Sequence, residues 1–158
     1  MTVKIFIKAY LREYVIGKFC NGVEQPVRFS EKFNVYHTIW NLMEKQPKKS
    51  ILEVGNLEIV LPNRREGKNP RDYSYLSAKS QKIIEKQIKN IFLFEFVDFV
   101  TTQKMQSDIP YLDSIWEFLK KYDITSISTE TLWKNYYRWK NEVLDKKGKK
   151  SKKISTTN

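Results

Sequence analysis

Between Lys134 and Asn141 the chain sets Lys134, Asn135, Tyr137, Arg138, Lys140 and Asn141 close together, with Thr129 a short way before them. Lysine and arginine of this kind meet phosphate oxygens. Asparagine and arginine carry the donor and acceptor geometry that reads base edges. A second basic cluster, Arg64, Arg65, Lys68 and Arg71, lies in Pro62–Asp72 among Glu66 and Asp72. Pro62, Gly67 and Pro70 exclude regular structure there. Such a loop suits a phosphate backbone, and it equally suits an ordinary solvated connection.

Residues for bond-making chemistry are sparse. His37 is the one histidine, and it falls next to Tyr36 and Trp40 on a candidate helix, where a structural role is the simpler reading. Cys20 is the one cysteine; near a helix end and after Lys18 it reads as a small buried hydrophobe rather than a nucleophile. One Cys and one His do not complete a metal site. Glu53 with Glu58, and Asp108 with Asp113, lack the companions of a metal-dependent nuclease. No glycine-rich phosphate loop is present. The expectation is a non-enzymatic protein with no cofactor and no metal.

The basic segment must be carried by something rigid. Leu132, Tyr136, Trp139 and Val143 recur at i, i+4, i+7 and i+11, which predicts an amphipathic helix over Thr129–Leu144. Its polar face carries the basic and amide residues. Before it, Leu112, Ile115, Trp116 and Leu119 predict a helix over Pro110–Lys121, with Pro110 suited to a first turn. Tyr122–Ser126 breaks the period, and Ser126 or Ser128 would cap the second helix. Two helices joined by a short turn, the second basic, form the outline of a helix-turn-helix. An ordinary helical hairpin with a solvated basic face has the same outline.

Upstream, Val3, Ile5 and Ile7 alternate with Lys4, Phe6 and Lys8, predicting a strand. Tyr10 to Phe19 shifts to helical spacing and stops at Asn21-Gly22. Gln25–Phe29 suggests a short edge strand. Ser30 is placed to cap a helix over Glu31–Lys45, ended by Pro47. Leu52–Leu61 reads as a hairpin or a strand broken at Gly55-Asn56. Tyr75–Met105 is the longest periodic run, with Ser74 or Ser77 as its cap. Apolar residues surround Ile91–Val100, as in a central core helix or a dimer interface.

These elements predict an α+β fold, mainly helical, with a small N-terminal sheet packed on helices and a C-terminal helical hairpin. A single compact domain would span residues 1–145, with an α+β region over residues 1–72 and a helical region over residues 73–145. Residues 146–158 would be a disordered basic tail. The 158 residues carry a net charge of +11, which points to an acidic partner. Six lysines and one aspartate lie from Asp145 onward, so the body retains about +6 and the tail alone does not account for the charge. Nine Tyr, nine Phe and four Trp are many for this length, yet most fall at core spacing; Tyr73, Tyr75 and Tyr137 are the candidates for exposure, too few to favour single strands over duplex. A lone cysteine, no signal-peptide pattern and no membrane-length apolar run fit a cytoplasmic protein without a membrane partner.

Val3–Phe19, Asn56–Pro62, Tyr73–Ser77 and Lys134–Trp139 together resemble small proteins carried by mobile elements and prophages of Bacteroidetes. The resemblance covers most of the chain and implies a setting, mobile DNA, where small basic proteins are often regulators. It brings no functional residue with it. The C-terminal region resembles the helix-turn-helix of phage regulators, but Asp123 or Ile124 stands where those turns often hold glycine, which leaves the docking geometry open. The expected function is a double-stranded-DNA-binding transcriptional or replication accessory. The alternative is an adaptor, anti-host or structural component, with an apolar face around Phe92–Val100, that pairs with itself or with an acidic protein.

Overall fold

The computed structural model describes residues 1–49 and 52–155, with side chains described as far as Lys146. The described residues form a mainly helical α+β fold: β1 (Thr2–Ile5), α1 (Ala9–Phe19), α2 (Asn34–Leu42), β2 (Leu57–Val60), α3 (Ala78–Ser107), α4 (Tyr111–Lys121) and α5 (Thr129–Ser155). The chain divides into two compact units, Met1–Asn90 and Ile91–Asn158, so the division falls within α3 rather than at residue 72. Among the described residues no helix is long and apolar enough to cross a membrane.

In the first unit β1 and β2 pair antiparallel, with Thr2 opposite Val60 and Ile5 opposite Leu57. The alternation in the sequence has its expected result: Val3, Ile5 and Ile7 are buried. Gln25–Phe29 contributes a single bridge, Val27 to Ile59, instead of a full strand. Residues 52–55 form no strand, so Leu57–Val60 finds its partner in β1 and not in a local hairpin. Gly55 is required where it stands: a Cβ there would lie 2.6 Å from the Ile5 backbone N and O. Beyond β1 the Asn56 side chain takes the place of a strand neighbour. Its Oδ1 accepts from Ile7 N at 3.0 Å and its Nδ2 donates to Ile7 O at 2.7 Å. On the other edge Gln81 Oε1 and Glu85 Oε2 accept from Phe6 N (3.0 Å) and Lys8 N (2.8 Å). Leu11, Tyr14, Ile39, Met43, Ile59, Ile84 and Ile88 complete the core of this unit.

α2 is shorter than the Glu31–Lys45 predicted. Ser30 Oγ accepts from Lys32 N at 3.3 Å, and Phe33 N donates to Ser30 O at 3.0 Å, so Ser30 opens a turn and the helix begins four residues later. α3 starts as a serine cap should. Ser77 Oγ accepts from Ser80 N at 3.1 Å.

The second unit is built from the C-terminal half of α3 with α4 and α5. Phe92 and Phe96 are fully buried, and Phe118 meets them edge-on at 5.7 and 5.3 Å. Trp139 of α5 closes the cluster at 6.3 and 5.9 Å from the same two rings. Truncating one of these phenylalanines to alanine would cost about 3–5 kcal/mol. The surplus aromatics of Ile91–Val100 are therefore intramolecular core. Of the three phenylalanines on which a partner face would rest, Phe96 is buried, Phe99 is half-buried against Phe118, and Phe94 alone is 43% exposed.

The C-terminal helix does not stop at Leu144, and the tail expected to be disordered from Lys146 is helical through Ser155. Lysine is a good helix former, Gly148 costs only about 1 kcal/mol, and cations are favoured at a helix C-terminus. Thr156–Asn158 lie outside the described residues.

Candidate nucleic-acid interface

The turn that aims α5 is fixed at both ends. Asp123 adopts φ 52°, the left-handed position usually given to glycine. Its N–H donates to Lys120 O at 3.2 Å, and Ile124 N donates to Leu119 O at 2.9 Å. These two bonds close the Schellman motif, and Leu119 and Ile124, its two apolar positions, are both buried. Aspartate thus replaces the missing glycine, being one of the few residues whose short polar side chain tolerates this conformation. On the far side Ser128, not Ser126, caps α5: its Oγ accepts from Thr131 N at 3.1 Å.

α5 buries Leu132, Tyr136, Trp139 and Val143, as its periodicity predicts. The Tyr136 hydroxyl shares a hydrogen bond of 2.6 Å with Thr101 Oγ1, and burial raises its phenol above the ordinary range. Away from the core, Lys134, Tyr137, Arg138 and Asn141 are exposed, while Thr129, Asn135 and Lys140 are half-buried. Exposed Glu130, Glu142 and Asp145 interrupt the positive charge of the helix. Asn135, expected as a base contact, makes two hydrogen bonds within α5. Its Nδ2 donates to Thr131 O at 2.8 Å and its Oδ1 accepts from Arg138 Nη2 at 2.8 Å. With both ends of its amide engaged, Asn135 braces Arg138. Lys140 reaches back over the Tyr136 ring, 5.9 Å from its centroid.

The basic loop after β2 is a strap on α2. The Arg64 guanidinium lies 4.8 Å from the Trp40 ring centroid and 5.5 Å from that of Tyr36. It also donates to His37 Nδ1 at 2.6 Å. His37 Nε2 lies 2.8 Å from Glu31 O, which can only accept. The histidine is therefore the neutral tautomer with its proton on Nε2, held structurally at both nitrogens. Gly67, at φ 100°, passes so close to Trp40 that a Cβ would stand 2.8 Å from its ring. Lys68 Nζ donates to the carbonyls of Trp40 (3.1 Å), Asn41 (2.9 Å) and Met43 (2.8 Å), which caps the C-terminus of α2. Arg64 and Lys68, singled out for phosphate contact, are thus engaged within the fold. Arg65 and Arg71 remain exposed.

Among the described residues no three of His, Cys, Asp or Glu come together as metal ligands would. Cys20 is buried. Asp108 is paired with Lys104 at 2.7 Å, and that hydrogen bond and charge hold its carboxyl below the usual range. Glu58 accepts from Thr2 Oγ1 at 2.6 Å.

The aromatics divide differently from their sequence pattern. Trp116, assigned to an apolar face, is 54% exposed with Lys120 Nζ 4.7 Å over its ring, and Leu112 is exposed too. The stripe of residues 112, 115, 116 and 119 covers about 100° of the helix, and the buried stripe is equally wide but turned by about 60°. The core takes Ile115, Phe118, Leu119 and Tyr122 instead. Tyr73 and Tyr75 are half-buried, leaving Tyr137 exposed of the three named. A group the sequence did not announce gathers around it: Tyr111, Trp133 and Tyr137, contributed by α4 and α5. The i, i+4 spacing of Trp133 and Tyr137 was its one legible sign.

No protein-family model matches the chain, and neither a curated protein nor a solved structure matches it.

Proposed function

We propose that the chain is a non-enzymatic, duplex-DNA-binding accessory of transcription or replication on a mobile element, and that α5 is the helix that enters the major groove. The observation that supports this reading most is the outward side of α5. A turn locked by the Asp123 and Ser128 caps presents Lys134, Arg138 and Asn141 to solvent from a helix whose other side is anchored in an aromatic core. Lys134 and Lys140 contact phosphates. Arg138, held by Asn135, and Asn141 address base edges. Thr129 sits in the first turn of α5, where a hydroxyl and a helix N-terminus suit a phosphate. The net charge of +11 supplies the long-range attraction.

The test is a fluorescence-anisotropy titration of the full chain with random duplex DNA at several salt concentrations. Neutralising about six phosphates makes affinity fall roughly a thousandfold between about 50 and 200 mM salt. The double variant Lys134→Ala, Arg138→Ala should lose most of the binding and keep its helical circular dichroism. Binding that ignores salt, or that survives the double variant intact, refutes the reading. Truncation after Leu144 is a poor substitute, because it cuts within α5.

A further inference from the structure

We propose that Tyr111, Trp133 and Tyr137 form a stacking site for an unpaired nucleobase beside the α5 face, which makes the substrate DNA with a locally single-stranded segment. The inference rests on the reading of α5 as a nucleic-acid-binding helix and adds a ligand to it. The three rings form a closed triangle: Tyr111 to Trp133 is 5.5 Å at 38°, Trp133 to Tyr137 is 5.6 Å at 67°, and Tyr111 to Tyr137 is 6.2 Å at 69°. Tyr137 is 51% exposed, and Tyr111 and Trp133 are half-buried beneath it. Tyr137 also packs on the adjacent Tyr136, which is fully buried and hydrogen-bonded to Thr101, with 5.4 Å between ring centroids, yet half of Tyr137 stays in solvent.

What surrounds the exposed ring identifies the ligand. Its helical neighbours at i−4, i−3, i+3 and i+4 are Trp133, Lys134, Lys140 and Asn141: an aromatic, two cations and an amide, with no carboxylate. From the facing elements, Tyr111 brings a third ring. Lys104 lies 5.7 Å over that ring with its charge shared with Asp108. Rings flanked by cations are how proteins hold single strands, the rings taking base faces and the cations the phosphates. A duplex offers phosphates and base edges but no free base face, so a ring site is served only by a base outside the stack. A protein partner would call for a wider apolar surface than one exposed ring bordered by lysines.

The experiment titrates labelled oligo-dT and a random duplex into the full chain and into Tyr137→Leu, Tyr137→Phe and the double variant Lys134→Ala, Arg138→Ala. Wild type should bind oligo-dT with quenching of tryptophan fluorescence. Tyr137→Leu, which keeps apolar bulk without a ring face, should bind oligo-dT about five- to a hundredfold more weakly. Tyr137→Phe should stay within about twofold, and Tyr137→Leu should lose less affinity for duplex than for oligo-dT. The inference is overturned if Tyr137→Leu binds oligo-dT as wild type does, if it loses duplex and oligo-dT equally, or if wild type does not bind oligo-dT at all. In that last case, duplex binding that depends on Lys134 and Arg138 leaves the reading of α5 standing. Conversely, oligo-dT binding that needs Tyr137, with duplex binding indifferent to Lys134 and Arg138, supports the stacking site and removes duplex recognition.

Discussion

Replacing Lys68 with methionine keeps most of the side chain's stem and removes its ammonium. Three carbonyls at the end of α2, those of Trp40, Asn41 and Met43, then lose a donor at 2.8–3.1 Å. Lys68 is half-buried, so water reaches part of this site. We therefore count one charge-assisted hydrogen bond of the three as lost outright, about 1.5–2 kcal/mol. The cation at a helix C-terminus adds roughly 0.5 kcal/mol. The sum, about 2 kcal/mol, corresponds to a fall in Tm of roughly 4–8 °C for a chain of this size. Thermal unfolding followed by circular dichroism measures it, and duplex titration of the same variant completes the test. Affinity should change by about twofold or less, because a lysine that caps α2 is not reaching phosphate. An unchanged Tm together with a tenfold loss of affinity would refute the reasoning and return the loop to the binding surface.

Asp123→Gly should raise stability by about 0.5–1 kcal/mol, because glycine takes φ 52° without a Cβ penalty, and Asp123→Val should lower it by about 1–2 kcal/mol; equal urea midpoints for the two would contradict the left-handed turn. Gly55→Ala places a methyl group 2.6 Å from the Ile5 backbone and should cost roughly 2–3 kcal/mol by urea unfolding, whereas wild-type stability would show that the segment does not approach β1 so closely. Burial, then the hydrogen bond to Glu95, pushes the Tyr122 phenol far above its usual value of 10.0, and burial also raises Tyr10 and Tyr136. A raised phenol pKa favours the protonated folded state, so its stabilisation is complete below about pH 10 and is lost as pH rises beyond that. Phenolate absorbance should accordingly rise in two phases, the second coinciding with unfolding; a single phase near pH 10 with no loss of structure would exclude this.

Features written in one short stretch of residues were legible in the sequence. The Ser77 cap, the stop after Phe19 at Asn21-Gly22, and the buried i, i+4, i+7, i+11 series of α5 depend on neighbours a turn or two away. The mainly helical α+β class follows from adding such segments together. What could not be read depends on partners distant in the chain. That Lys68 caps a helix ending at Leu42, or that Arg64 lies over Trp40, is set by a fold that brings residues more than twenty positions apart together. The same holds for Trp116: two overlapping apolar stripes run along α4, and only the facing helices decide which goes inward. For the candidate site this means that the helix carrying it was visible, but not the sorting of its side chains. For Asn135, a type and a spacing do not reveal the two hydrogen bonds its amide makes within α5.

The way the first strand is fastened has a consequence for how the protein is made. Past β1, the backbone of Phe6, Ile7 and Lys8 is held by Gln81, Asn56 and Glu85, which lie 75, 49 and 77 residues further along. During synthesis the strand therefore leaves the ribosome long before its partners exist. Helices such as α1 and the start of α3 can form locally within microseconds, but closing loops of this length comes later. The strand is among the last segments to be secured, and until the start of α3 arrives its edge amides are open to any other chain nearby.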